Sequence, residues 1–158
     1  MNVPLYEKVW MWAAGVMIAA FIATVAVAFA SSAFRPPSHV ETIDPAKLWA
    51  DARFAQRGVT VAPDGHVTVT MVALTFAFSP AEVHVPAGTP VTFRLTSADV
   101  THGFQIVGTN GNTMVVPGYV SQFTTTFEQP GEYLIVCNEY CGTGHHTMSA
   151  KLVVEGAP

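Results

Sequence analysis

Charged residues are scarce in this chain. Only 11% of its 158 residues are Asp, Glu, Lys or Arg, while half are apolar, which excludes a disordered chain. Basic residues are especially few beyond Arg35, where five of them face ten acidic ones, so we exclude a nucleic-acid-binding protein. Cysteine occurs only twice, which rules out a scaffold of several disulfides and leaves room for one disulfide or one metal site.

The longest uncharged run, Val9 to Ala30, predicts a helix that crosses a lipid bilayer. Its 22 residues would span about 33 Å as a helix, and Trp10 and Trp12 suit a membrane interface. A cleaved signal peptide is the alternative, because Ala28-Phe29-Ala30 has the form of a cleavage site. Since the run is longer than a usual signal-peptide core, we favour an uncleaved anchor whose N-terminus is cytoplasmic.

Proline and capping residues divide the chain into an anchor over 1–35, a linker over 36–58 and a domain over 59–158. The prolines of Arg35-Pro36-Pro37-Ser38 cannot continue a helix. Within the linker, Asp44-Pro45 resembles an N-cap followed by the first helical residue. The apolar spacing of Leu48, Trp49 and Phe54 then predicts a short amphipathic helix that ends before Gly58.

A period of two replaces the helical pattern after Val59. Apolar residues alternate with polar ones over 67–73 and 91–95, which predicts half-buried strands. About seven short strands in the last 100 residues, separated by Gly and Pro turns, predict an antiparallel β-sandwich. The other strand candidates are 82–85, 103–107, 121–127, 132–136 and 150–154.

Soft metal ligands are concentrated between the last two strand candidates. Cys137, Cys141, His145 and Met148 lie within twelve residues, and thiolate and thioether donors select copper over hard cations. His102, just before a strand candidate, is the best further ligand. Two Cys and two His would also satisfy tetrahedral zinc, although the methionine argues against it. A disulfide between the two cysteines is a further alternative.

The full motif extends beyond this loop. Cys-x3-Cys-x3-His-x2-Met, with an upstream Asp-x2-His-x-Phe at 99–104, resembles the binuclear copper A site of subunit II of cytochrome c oxidases. The single helix before the domain makes the chain most similar to the short subunits of ba3-type, or B-family, oxidases. The resemblance implies a cupredoxin-like Greek-key β-sandwich and two copper ions. The ligands that it implies are bridging Cys137 and Cys141, terminal His102 and His145, and weak axial Met148 and the Glu139 carbonyl.

The resemblance also implies a function in respiration. Such a subunit takes electrons from a cytochrome c or a small cupredoxin at the outer face of a prokaryotic plasma membrane. It passes them to haem in subunit I, where dioxygen is reduced, so this chain itself needs no catalytic acid, base or nucleophile.

Four further side chains have two interpretations each. Glu139 could share a Mg²⁺ ion with subunit I or bond locally. Glu7 could lie at the entrance of a proton path or simply favour a helix start. Phe76 and Phe78 stand where the family often has an electron-accepting tryptophan, but aromatic residues in strands usually lie in the core. The remaining histidines are expected to be surface or structural: His39, His66, His84 and His146.

Three other functions are compatible with parts of this pattern. The copper A subunit of a nitric oxide reductase would keep the same ligands and differ only in its partner. A membrane-anchored copper carrier would exchange its metal readily. A disulfide-bonded binding module would hold no metal. Nitrous oxide reductase is excluded, because its copper domain accompanies a propeller that 158 residues cannot contain.

Overall fold

A computed structural model describes residues 4–30 and 41–156, which belong to two compact units. The predicted proline linker Arg35-Pro36-Pro37-Ser38, like His39, lies outside the described residues. The first unit contains helix α1 (Leu5–Ala30) and the second contains a β-sandwich. Each is described by itself.

Helix α1 is 26 residues long, with a mean hydropathy of 2.4 over its most apolar part. It would extend about 39 Å, long and apolar enough to cross a membrane, as the uncharged run predicts. Its least apolar side chain, Thr24, donates its hydroxyl to the Ala20 carbonyl at 2.8 Å. That bond satisfies the polar group within the helix. A signal sequence would share the length and composition of α1.

Eleven strands are described in the second unit, more than the sequence predicts because four are short. The strands are β1 (Glu41–Thr42), β2 (Gly58–Val61), β3 (Val67–Leu74), β4 (Ala77–Ser79), β5 (Glu82–Pro86), β6 (Pro90–Ser97), β7 (His102–Ile106), β8 (Asn112–Val115), β9 (Tyr119–Thr126), β10 (Gly131–Val136) and β11 (Ser149–Glu155). They form one sheet in the order β1-β9-β6-β3-β2, with β4 paired to β3, and another sheet in the order β5-β11-β10-β7-β8.

The predicted two-sheet sandwich is confirmed, but its sheets are mixed. Strands β3 and β6 pair in parallel, as do β5 and β11. The chain passes from β3 to the other sheet at β5 before returning to β6, and such a crossover brings a strand back in the same direction. Buried aromatic rings fill the space between the sheets, with Phe104 contacting both Phe78 and Phe93.

Residues 41–56 are part of the sandwich unit, although the sequence suggests a linker there. Leu48 and Phe54 are fully buried in a second apolar cluster. The predicted boundary at residue 59 therefore falls inside the compact unit. The predicted helix is also divided in two, a 3-10 helix Pro45–Ala50 capped by Asp44 and helix α2 (Ala52–Ala55) capped by Asp51.

This packing explains why β3 is not half-buried as predicted. One face of β3 contributes Val69 and Met71 to the main core. On the opposite face Val72 is fully buried against the cluster that contains Leu48 and Phe54. A strand with apolar cover on both faces loses the alternation that would expose its second face.

We expect Phe54→Ala to lower the free energy of unfolding by about 3–5 kcal/mol, because a fully buried ring would leave a cavity. Val61→Ala, at a side chain that is 62% exposed, is the matched control and should change it by less than about 0.5 kcal/mol. Urea unfolding of the full chain in detergent measures both. A near-neutral Phe54→Ala would mean that residues 41–56 behave as a linker.

Candidate metal centre

A loop of twelve residues between β10 and β11 carries most of the predicted ligands. The two strands are antiparallel, and their last register pair joins Val136 to Ser149. At the neck of the loop, the Cys137 N–H donates to the Met148 carbonyl at 3.1 Å. The first and last predicted ligands of the loop are therefore held opposite each other by the strand pairing.

His102 reaches the same place from a different strand. It begins β7, which pairs with β10 through Val136 and Gln105. The His102 side chain is fully buried, and its Nδ1 atom lies 3.9 Å from Cys137 Sγ. Strand pairing thus brings together residues that are 35 positions apart.

The remaining donors surround Cys141. Its Sγ lies 3.8 Å from Cys137 Sγ, 3.7 Å from His145 Nδ1 and 3.8 Å from Met148 Sδ. A 3-10 helix, His145–Thr147, turns the chain there, and the Met148 N–H donates to the His145 carbonyl at 3.1 Å. Each cysteine therefore has its own imidazole nitrogen beside it. His102, Cys137 and Cys141 form a cluster capable of holding a metal ion.

The chemistry of this donor set fits copper. Both cysteines are free thiols, which argues against the disulfide alternative. Cys137, Cys141 and Met148 are all buried, so soft sulfur donors line a site from which water is largely excluded. A buried thioether is a poor ligand for zinc and a common weak ligand for copper.

Burial and the neighbouring Cys137 raise the pKa of the Cys141 thiol to about 11. The thiol is therefore protonated at neutral pH before a metal binds. Because the thiolate is the ligand form, metal binding has to displace this proton.

Asp99 lies behind His102, on the side away from the thiols. Its Oδ1 is 2.8 Å from His102 Nε2, and its other oxygen accepts the Thr75 N–H at 2.7 Å. Partial burial opposes ionisation of Asp99, but hydrogen bonds from Thr75 and His102 hold the pKa of its carboxyl well below the usual range. With Nε2 donating to Asp99, Nδ1 of His102 is the nitrogen left to bind a metal.

Glycines allow close approaches around the ligand loop. A Cβ on Gly103 would collide with the Asn138 side chain and lie 2.7 Å from the Glu139 nitrogen. A Cβ on Gly142, whose φ of 131° already favours glycine, would lie 3.0 Å from the Phe76 ring. The Phe76 ring thus covers the ligand loop. Strand β7 approaches the same loop at Gly103, so closely that any side chain larger than glycine would collide with it.

The other predicted site residues are placed as follows. The Glu139 carbonyl oxygen lies 3.1 Å from Cys137 Sγ, while its side chain is exposed. Phe78 is only 2% exposed and its ring packs on Phe104 in the core, which favours the core interpretation over a contact surface. Phe76 is partly buried.

Glu7, the predicted residue at a proton path, lies in the first turn of α1. His66, His84 and His146 are exposed.

Two neighbours of the site were not assigned a role from the sequence. Thr75 is 24 residues from Asp99, and no local pattern connects them. Tyr140 is 73% exposed, and its ring centroid is 5.9 Å from that of His145. Its position between the two cysteines is a signal that could have identified it as a surface residue beside a ligand.

Known proteins resemble this chain in sequence. The sequence model of the family described as "Cytochrome C oxidase subunit II, periplasmic domain" matches residues 64–156. "Cytochrome c oxidase subunit 2" of Thermus thermophilus is 40% identical over 157 residues, which cover 95% of this chain and 92% of the relative. This similarity includes the apolar helix as well as the sandwich.

Solved structures agree with the sequence comparison. A heme-copper terminal oxidase dimer solved by cryo-EM contains a chain that matches with a TM-score of 0.66 and 31% identity, covering 95% of this chain and 99% of that one. The periplasmic domain of subunit II of the cytochrome oxidase of Bradyrhizobium japonicum matches with a TM-score of 0.52 and 18% identity, covering 56% and 83% respectively. The second match supports the fold alone.

We expect Gly103→Ala to lower the copper affinity of the full chain about tenfold, because the added Cβ would displace the backbone at Asn138 and Glu139. Gly156→Ala is the matched control, since its Cβ would meet nothing closer than 3.9 Å. Competition with a copper chelator measures both. Equal affinities in the two variants would contradict the close approach.

Proposed function

Because this chain belongs to the cytochrome c oxidase subunit II family, we propose that it is the electron-accepting subunit of a membrane-bound terminal oxidase. It is a copper-binding subunit of an oxidoreductase complex that also contains subunit I. In the proposed role it takes electrons from a cytochrome c or a small cupredoxin and delivers them to haem in subunit I. Dioxygen reduction belongs to that partner. The similarity to subunits of oxidases favours an oxidase over a nitric oxide reductase.

The observation that carries the proposal is the pairing of each thiol with its own imidazole. His102 Nδ1 lies beside Cys137 Sγ at 3.9 Å, and His145 Nδ1 lies beside Cys141 Sγ at 3.7 Å. Two His–Cys pairs with adjacent sulfurs suit two copper ions bridged by both thiolates. Met148 and the Glu139 carbonyl are the proposed weak axial ligands. Such a centre supplies one-electron redox chemistry with the electron shared between two metals.

The protein holds these ligands in a geometry that need not change with oxidation state. Strand pairing holds Cys137 opposite Met148, Asp99 orients His102, and the Phe76 ring covers the loop. Rigid ligands keep the reorganisation that accompanies electron transfer small. A copper carrier would need a more open site, so this rigidity supports electron transfer over metal transport.

The proposed orientation places the N-terminus in the cytoplasm and the sandwich on the outer face of the membrane. The length and composition of helix α1 support an anchored protein.

We also propose that the exposed Glu139 side chain reaches a Mg²⁺ ion shared with subunit I, because a carboxylate suits a hard divalent cation. Metal analysis of the assembled complex, purified without chelators, detects such an ion. The proposed role of Glu7 at a proton path rests on its position in the first turn of α1.

Copper content and electron paramagnetic resonance of the full chain in detergent test the proposed centre. We expect two coppers per chain and a seven-line hyperfine pattern, since the unpaired electron interacts with both nuclei. Cys137→Ser should abolish this pattern by removing a bridge, while Met148→Leu should leave a perturbed one. One copper with a four-line pattern, or an unchanged spectrum in Cys137→Ser, would refute the proposal.

We propose that electrons enter beside Tyr140 rather than through Phe78. Tyr140 is exposed and contacts the His145 ring, whereas Phe78 is buried. Tyr140→Ala should slow reduction of the centre by its protein donor about tenfold, the effect of losing an interface side chain. Reduction by dithionite should remain unchanged. Tyr119→Ala, at a tyrosine that is 50% exposed on β9, is the matched control. Equal donor kinetics in both variants would exclude Tyr140.

A further inference from the structure

We propose that Thr75 is a positioning residue of the metal centre, acting on His102 through Asp99. The inference rests on the proposed role of His102 as a copper ligand. Thr75 lies between β3 and β4, outside the ligand loop, and its side chain touches none of the donor atoms. Its influence on the site is therefore indirect.

Thr75 binds Asp99 twice. One Asp99 oxygen, Oδ2, accepts both the Thr75 backbone N–H, at 2.7 Å, and the Thr75 hydroxyl. The other oxygen, Oδ1, accepts the Val100 N–H at 2.6 Å and faces His102 Nε2 at 2.8 Å. Because Thr75 and His102 use different oxygens, the Thr75 bonds fix the rotation of the carboxylate that His102 meets.

The orientation of Asp99 decides which nitrogen of His102 carries the proton. A carboxylate held at Nε2 keeps the proton there and leaves Nδ1 free, on the side of Cys137 Sγ. His102 is fully buried, so no solvent competes for its Nε2 proton. Without the Thr75 hydroxyl, Asp99 Oδ2 would keep a single hydrogen bond, from the Thr75 N–H, so the carboxylate would hold the His102 Nε2 proton less firmly.

The same turn contacts the other half of the centre. Phe76, which follows Thr75, lies against Gly142 and Gly144 in the loop that carries His145. The Ala98 N–H donates to the Ala73 carbonyl at 3.0 Å and joins the ends of β3 and β6 just before this turn. The Thr75–Phe76 turn is thus tied to both His–Cys pairs, to one through hydrogen bonds and to the other through ring packing.

Solvent exchange of the His102 Nε2 proton tests the proposal without copper. It is followed by NMR in the full chain in detergent after the metal has been removed with a chelator. Thr75→Val preserves side-chain shape and removes the hydroxyl bond to Asp99 Oδ2 while the backbone N–H bond to that oxygen remains, and we expect exchange to become about tenfold faster. Thr75→Ser restores the hydroxyl and should restore slow exchange.

The matched control is Thr125→Val. It loses one exposed hydrogen bond, from Thr125 Oγ1 to Asn110 Oδ1 at 3.2 Å, in which neither Asp99 nor a proposed ligand takes part. Exchange should be unchanged in this variant. After reloading with copper, loss of the metal to a chelator should also be about tenfold faster in Thr75→Val than in Thr75→Ser or Thr125→Val.

If the His102 Nε2 proton exchanges in Thr75→Val at the same rate as in the wild-type protein, the proposal is overturned. If that variant fails to fold, Thr75→Ala decides, because it removes the same hydroxyl and keeps the backbone N–H bond to Asp99. Fast exchange in Thr75→Ala supports the proposal, and unchanged exchange rejects it. Failure of the proposed function would appear separately, as a wild-type protein without the seven-line copper spectrum.

Discussion

The site depends on the antiparallel pairing of β10 with β11. Their register sets the bond between the Cys137 N–H and the Met148 carbonyl, and with it the distance between the first and last residues of the ligand loop. Cys137 also continues the inward face of β10 that begins with buried Ile135. A slip of one residue would turn Cys137 toward solvent and separate the sulfur donors, because successive strand residues point to opposite faces.

Around this pairing, the core and the site share their residues. The sulfur donors belong to the same buried cluster as Phe78 and Phe104, so the wall of the metal centre is the sandwich core itself. Burial raises the pKa of the Cys141 thiol until a metal displaces its proton, and it keeps water from the ligands. Asp99 places a carboxylate in direct contact with the buried His102, and it does so from a loop rather than from the core.

Much of the site could be predicted because it is local. Four of its donors lie in one loop, where their spacing alone indicates soft metal chemistry, and free thiols beside two imidazoles agree with that. The sequence left Phe78 between a contact surface and the core, because its strand β4 is too short to display an alternating pattern. Residues 41–56 were assigned to the linker because Asp44-Pro45 follows the proline run Arg35-Pro36-Pro37-Ser38, and no local pattern shows what the short helix packs on. Their place in the sandwich unit comes from the burial of Leu48 and Phe54, with Arg53 and Arg94 both binding Glu41 at 2.6 Å.

By itself, the sequence determined an apolar helix, a β-rich domain and a loop of copper-type ligands, since each follows from composition or spacing within a short stretch. The tertiary structure alone decided that two strand pairs are parallel, that His102 meets Cys137, and that Thr75 and Phe76 support the two halves of the centre. These are contacts between residues distant along the chain. They arise when strand registers and core packing bring separate segments together, which no local period records.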